Sequence, residues 1–137
     1  MSLTYEEREA LIKYRIDNAY QALDDAEYNA KDKRWHITAN RLYYAIFYAA
    51  SALLISEGIG FHTHKGLITQ IGYYYVKAGK LTKQEGHLIG ELFSLRHEAD
   101  YEEYIEPTEE DIDDFFPRTR ALVEKLVGLN KLANPNY

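Results

Sequence analysis

The sequence predicts an all-α fold, an antiparallel bundle of four to five helices, and three observations carry that prediction. Apolar residues recur at steps of three and four along most of the chain. Two Thr-x-x-Glu capping boxes, Thr4/Glu7 and Thr82/Glu85, mark helix starts. No alternating apolar and polar run bounded by turn residues competes as a strand. A chain of 137 residues with 46% hydrophobic content can bury one core, so a single domain over 1–137 is expected, with a frayed tail at 132–137 around Asn134, Pro135 and Asn136.

The elements follow in order. After Thr4, the residues Ile12, Ile16, Ala19, Leu23, Ala26 and Ala30 alternate in steps of four and three, which predicts a first helix of about 27 residues. A polar break from Lys31 to Arg34 leads into a second helix that is apolar on all sides from Leu42 to Ile55, the pattern of a buried central helix. Gly58 and Gly60 stop it, and a short loop holding His62 and His64 precedes a third helix with Leu67, Ile71, Tyr74 and Ala78 on one face and Gly79 at its end. Tyr73 to Val76 has β propensity, but a lone strand would have nothing to pair with. The second capping box opens a fourth helix with Leu88, Leu92, Leu95 and Ala99 inward, reaching about Tyr104. Pro107 breaks the chain, Thr108 is the expected N-cap, and Ile112, Phe115, Thr119, Leu122, Leu126 and Leu129 form the stripe of a fifth. Pro117 should kink that helix or mark a late start.

Composition narrows the function. Without cysteine neither a disulfide scaffold nor a thiolate metal site can form, and the cytoplasm is the expected compartment. The longest apolar run, Leu42 to Ile55, is 14 residues interrupted by Ser51, short of the ~18 that suggest a membrane span. The opening MSLTYEEREA lacks a charged stretch followed by an apolar one, so no signal peptide and no membrane association are expected. The net charge of −6 is uneven: residues 98–114 hold ten acidic side chains and no basic one, which leaves +4 on the other 120. The acidic run reads as a solvated helix junction, unsuited to phosphate, while a nucleic-acid surface elsewhere stays open.

Few side chains carry chemistry. His62 and His64 flank Thr63, but no third ligand has a fixed spacing, so they read as solvated loop histidines and no metal or cofactor is expected. Glycine-rich phosphate loops, HExxH and a nucleophile elbow are absent. Among thirteen tyrosines, Tyr43, Tyr44, Tyr48, Tyr73, Tyr74 and Tyr75 offer stacking faces, although core and interface packing accounts for most of them. Lys31, Lys33, Arg34, His36 and Arg41, with Trp35 among them, gather cations at the entrance of the second helix, where a phosphate chain could be met. Cations at a helix start gain nothing from its dipole, so a solvated helix end is the plainer reading. In FSLRHEADY, Arg96 and Asp100 are four apart at the edge of the Leu92, Leu95, Ala99 stripe and can pair while facing a groove or a partner.

Three segments, RLYYAIFYAASALL, HKGLITQIGYYYVKAGKL and LRHEADY, make the chain resemble the HEPN domains from about Ala39 to Asp114, in particular their short stand-alone bacterial group. The resemblance implies a homodimer in which the fourth helix of each chain lines a shared cleft. Many HEPN proteins are metal-independent ribonucleases or toxins, often encoded beside a minimal nucleotidyltransferase that acts as antitoxin. Their catalytic motif is an Arg, usually followed by a polar residue, then a His after a spacer of four to six. Arg96 and His97 match its beginning, but Tyr101, Glu102 and Glu103 stand where the later His is expected. Histidine exchanges a proton near neutral pH, whereas tyrosine, with a pKa of about 10, is a poor base there. Adjacent helix positions point about 100° apart, so Arg96 and His97 do not converge on one phosphate within a chain.

The expectation is therefore a dimeric module of a toxin-antitoxin-like or stress and defence system that binds a nucleotide, RNA or a minimal nucleotidyltransferase partner without strong catalysis. The alternatives are a divergent metal-independent endoribonuclease and a purely structural interaction subunit. The catalytic candidates are Arg96, His97 and Tyr101, and the ligand-binding candidates Arg96, Asp100, Arg41 and His36. The dimer is expected through the second and fourth helices, with Phe93 and Ile89 beside the inner stripe of the latter.

Overall fold

In the computed structural model, which describes residues 3–98 and 106–130 (for 96–98 the backbone alone), the hydrophobic pattern condenses into five helices. Helix α1, Tyr5–Lys31, starts as its capping box requires: the Thr4 hydroxyl accepts from the Glu7 N–H at 3.1 Å, and the Glu7 carboxylate accepts from the Thr4 N–H at 3.1 Å. A three-residue link follows, with Lys33 in the left-handed region at φ 58°, and folds the chain back into α2, Trp35–Ser56. The small residues Ala19, Ala22 and Ala26 on the buried face of α1 let the two backbones lie close. Helix α2 is central as the sequence predicts. It packs against all four other helices and buries twelve residues, among them Leu42, Tyr43, Ile46, Leu53 and Leu54.

The start of α2 needs help from elsewhere in the chain. Arg34, its N-cap, makes no side-chain cap bond, and the first turn holds no acidic residue. The carboxylate of Glu106, seventy positions downstream, accepts from the His36 N–H at 3.2 Å. An anion at a helix N-terminus satisfies an orphan donor and meets the positive end of the dipole. Glu106→Ala is expected to lower stability by about 0.5–1 kcal/mol in a urea titration, and an unchanged midpoint would show that this cap carries no weight.

The third helix departs from expectation. Helix α3 covers only His64–Ile71, and Gly72–Val76 continues it as a π-helical turn closed by the Lys77 N–H on the Gly72 carbonyl at 2.9 Å. The wider turn, followed by a left-handed glycine at Gly79, ends the α-helical register early. Tyr75 is buried with Leu67 and Ile71, whereas Tyr74 and Ala78, expected inside, are exposed. His64 is likewise not a loop residue: Thr63 is the N-cap, accepting from the Gly66 N–H at 2.8 Å, and His64 opens the helix.

Helix α4, Lys83–Glu98, begins at the second capping box, with the Thr82 N–H donating to Glu85 at 2.7 Å and the Glu85 N–H donating to the Thr82 hydroxyl at 3.0 Å. The expected continuation to Tyr104 lies outside the described residues. Leu88 and Leu92 are buried as predicted, and so is Ile89, which therefore belongs to the core and not to a surface offered to a second copy. Helix α5, Glu109–Gly128, starts at a Thr108/Asp111 capping box and runs through Pro117, so that proline marks no late start. One core cluster draws side chains from all five helices. Among the described residues no helix is long and apolar enough to cross a membrane.

The Lys125 ammonium on α5 donates to the Glu85 carboxylate at 2.8 Å and ties the start of α4 to the bundle. Burial alone pushes that carboxyl up, but the hydrogen bond from Lys125 and the bonds with Thr82 outweigh it and hold Glu85 below its ordinary 4.5. A depressed carboxylate contributes stability above its unfolded pKa and loses that contribution as pH falls through the folded value. Glu85→Gln is thus expected to cost about 0.5–1 kcal/mol near neutral pH, since the pair is partly exposed. The cost should vanish in urea titrations well below pH 4.5, and a penalty that persists there would assign it to packing.

Candidate functional site

Tyr43 is the largest of the fully buried side chains, with no exposed surface, and its hydroxyl lies 2.7 Å from Nδ1 of His64. This one contact joins the middle of α2 to the head of α3. A buried phenol needs such a partner, and an imidazole held at one nitrogen is fixed in orientation. If the tyrosine donates, Nδ1 is the acceptor and Nε2 carries the ring proton; if it accepts, Nε2 is left as the basic nitrogen.

Aromatic rings build the walls. His64 stacks on Phe47 with centroids 4.5 Å apart and on Phe93 of α4 at 6.2 Å, while Tyr43 meets Phe93 at 5.8 Å. Tyr44 stands edge-on to Tyr43 at 5.2 Å and carries the Arg41 guanidinium over its ring at 5.1 Å. Arg41 also donates to the Asn40 side-chain carbonyl at 2.8 Å and 3.1 Å, which holds its fork beside the cluster. The arrangement offers a half-buried imidazole from α3 and a phenol and a guanidinium from α2, chemistry suited to proton exchange and to an anionic group.

The sequence candidates distribute unevenly around this cluster. Arg41 belongs to it. His36 does not: it sits at the start of α2, its N–H on Glu106, and five helical steps turn it about 140° from Arg41. Of the other cations of that entrance, Arg34 pairs with Asp32 at 2.7 Å and Lys31 with Glu27 at 3.8 Å. Trp35 and Lys31 line an open groove of about 610 Å³ against α5 whose acidic members are Glu27, Glu109, Asp113 and Glu124, a poor setting for phosphate. Arg96 and His97 fall in the last turn of α4, and Arg96 follows Phe93 by three residues, about 4.5 Å of helical rise. Their side chains, and Asp100 and Tyr101 altogether, lie outside the described residues. Among the described residues no three His, Asp or Glu side chains gather as metal ligands would.

His64 is the residue that sequence reasoning passed over, though a signal was present. Thr63 has N-cap character and Gly66 follows three residues later. That reading puts His64 three positions before the inward Leu67, on the same face of α3.

A family model described as the HEPN domain matches residues 12–130. A UPF0332 protein of Thermotoga maritima is 36% identical over 124 residues, covering 88% of this chain and 94% of its own. Two Methanocaldococcus jannaschii proteins, each bearing the name "Putative toxin", are similar over 88% of this chain, at 31% and 25% identity and over 87% and 85% of their own lengths.

Proposed function

The chain belongs to the HEPN domain family, and from that premise we propose that it is a toxin-like module whose homodimer binds RNA or a nucleotide through the α2, α3 and α4 cluster. A minimal nucleotidyltransferase is the partner that holds it in check. The relatives named as toxins support the role. The observation that carries the location is the Tyr43 to His64 contact, which brings a fixed imidazole beside Phe93, one turn before Arg96. Arg41, on the Tyr44 face of the same cluster, supplies a second cation.

Sedimentation at micromolar concentration tests the assembly, where a species twice the 16.0 kDa of the chain is expected. Binding of a fluorescent RNA strand tests the site. Arg96→Ala is expected to weaken it at least tenfold while moving the melting temperature by only a few degrees, equivalent to about 1 kcal/mol. A monomer, or a variant that binds as well as the wild type, would remove the reading, and collapse of the fold in Arg96→Ala would make that arginine structural.

A second reading, the metal-independent endoribonuclease, is favoured by the same histidine. The motif lacks its later His at Tyr101, and His64 is an imidazole beside the cluster that could supply the missing base.

A further inference from the structure

From Gly58 to Gln84 the chain contains four lysines, two histidines and no acidic residue, although the protein as a whole carries −6. The segment is thus the place where a polyanion meets least repulsion. Its fold adds a directional pattern. The exposed residues Lys65 and Thr69 on α3 and Tyr73 in the π-helical turn that continues it follow one another at four-residue steps, about 12 Å of helical rise from first to last.

The π-helical turn then displays two neighbouring aromatic rings to solvent. Tyr73 is 58% and Tyr74 43% exposed, their rings edge-to-face at 4.9 Å. They differ in this from Tyr43 and Tyr75, which are buried, and from Tyr44 and Tyr48, which are half-buried. Lys77 places its ammonium 5.2 Å from the Tyr73 ring, Lys80 sets its own 5.8 Å from the Tyr75 ring, and Lys83 opens α4 a few residues on, all three exposed. Exposed rings interleaved with lysines are the combination that grips unpaired bases by their faces and the backbone by its phosphates. A double helix has no free base faces to offer these tyrosines.

We infer that the ridge formed by Lys65, Tyr73, Tyr74, Lys77, Lys80 and Lys83, which starts next to His64 in sequence and continues past the far end of α3, is a binding track for single-stranded RNA. The inference rests on the reading of the protein as an RNA-binding module, and it adds a surface outside the family motif. Bases stack on Tyr73 and Tyr74 while the lysines hold successive phosphates, so binding tolerates sequence and depends on salt.

The test measures anisotropy of a short fluorescent polyuridine strand over a range of salt concentrations. The proteins compared are the wild type, Tyr73→Ala/Tyr74→Ala, Lys77→Gln/Lys80→Gln/Lys83→Gln, and Arg96→Ala. All substituted ridge positions are exposed, and circular dichroism checks that each variant keeps the helical fold. The tyrosine variant is expected to bind at least tenfold more weakly. The lysine variant should also bind more weakly and flatten the dependence of log K on log salt by about 2, near 0.7 for each lost phosphate contact. Wild-type affinity and salt slope in both ridge variants, with loss in Arg96→Ala, would overturn the track and leave the motif site standing. No binding of polyuridine by the wild type would overturn the track whatever the motif does. Binding of anionic phosphatidylglycerol vesicles in place of RNA, lost in the lysine variant, would overturn it in favour of a membrane surface.

Discussion

Leu53→Ala is expected to destabilise the protein by about 3–4 kcal/mol, seen as a fall of some 10–15 °C in melting temperature for a chain of this size. Leu53 has no exposed surface and sits in the stretch of α2 where every residue from Ala49 to Leu54 is buried. A helix enclosed by four others cannot tilt to refill the space, because each neighbour is held by its own packing. The truncation therefore removes the transfer free energy of the side chain and leaves a cavity as well. Tyr28→Ala is the matching control: Tyr28 is 77% exposed, and its loss should move stability by less than about 0.5 kcal/mol. Equal effects of the two substitutions in calorimetry would contradict the central position of α2.

The helices were legible because their signals are local. Thr4/Glu7, Thr82/Glu85 and Thr108 act over one turn, and the unbroken apolar surface of α2 admits no position but the centre. What escaped was set by long-range geometry. Nothing in the tyrosine run announces that Gly72 to Val76 widens into a π turn, because Tyr74 and Tyr75 fit an inward position equally well by type. Tertiary packing decides between them, and it chooses Tyr75. The Glu106 cap on α2 and the Lys125 bridge to Glu85 join residues 70 and 40 positions apart, a separation that no periodicity encodes. For the proposed site the sequence offered Arg41 and Arg96 as candidates but treated His64 as solvated, since a histidine's role depends on what lies across from it. Tyr43, twenty-one positions earlier, does.

The protein is expected to show little or no ribonuclease activity, and Tyr101→His to make it active. The family motif calls for a histidine after a spacer of four to six residues, and residues 97–100 provide a spacer of four between Arg96 and position 101. Metal-free cleavage of RNA needs a group to take the 2′-hydroxyl proton and a cation to stabilise the charged phosphorane. Arg96 can serve as the cation, while tyrosine at its ordinary pKa of about 10 holds its proton too firmly to act as base near neutral pH. A positioned acid–base group contributes about 10²- to 10⁴-fold, so the substitution should raise the cleavage rate by that order. Rates on structured and unstructured RNA, with chelator present to silence metal-dependent contaminants, are the measurement, and Arg96→Ala in the same background should abolish the gain. Efficient chelator-resistant cleavage by the wild type would contradict the expectation. Its loss in both Arg96→Ala and His64→Gln, with retention in Tyr101→Phe, would then assign the base to the histidine that Tyr43 holds. Loss in Arg96→Ala and His97→Ala instead would assign it to His97 acting across the cleft of the proposed dimer, where the angular separation within one chain no longer applies.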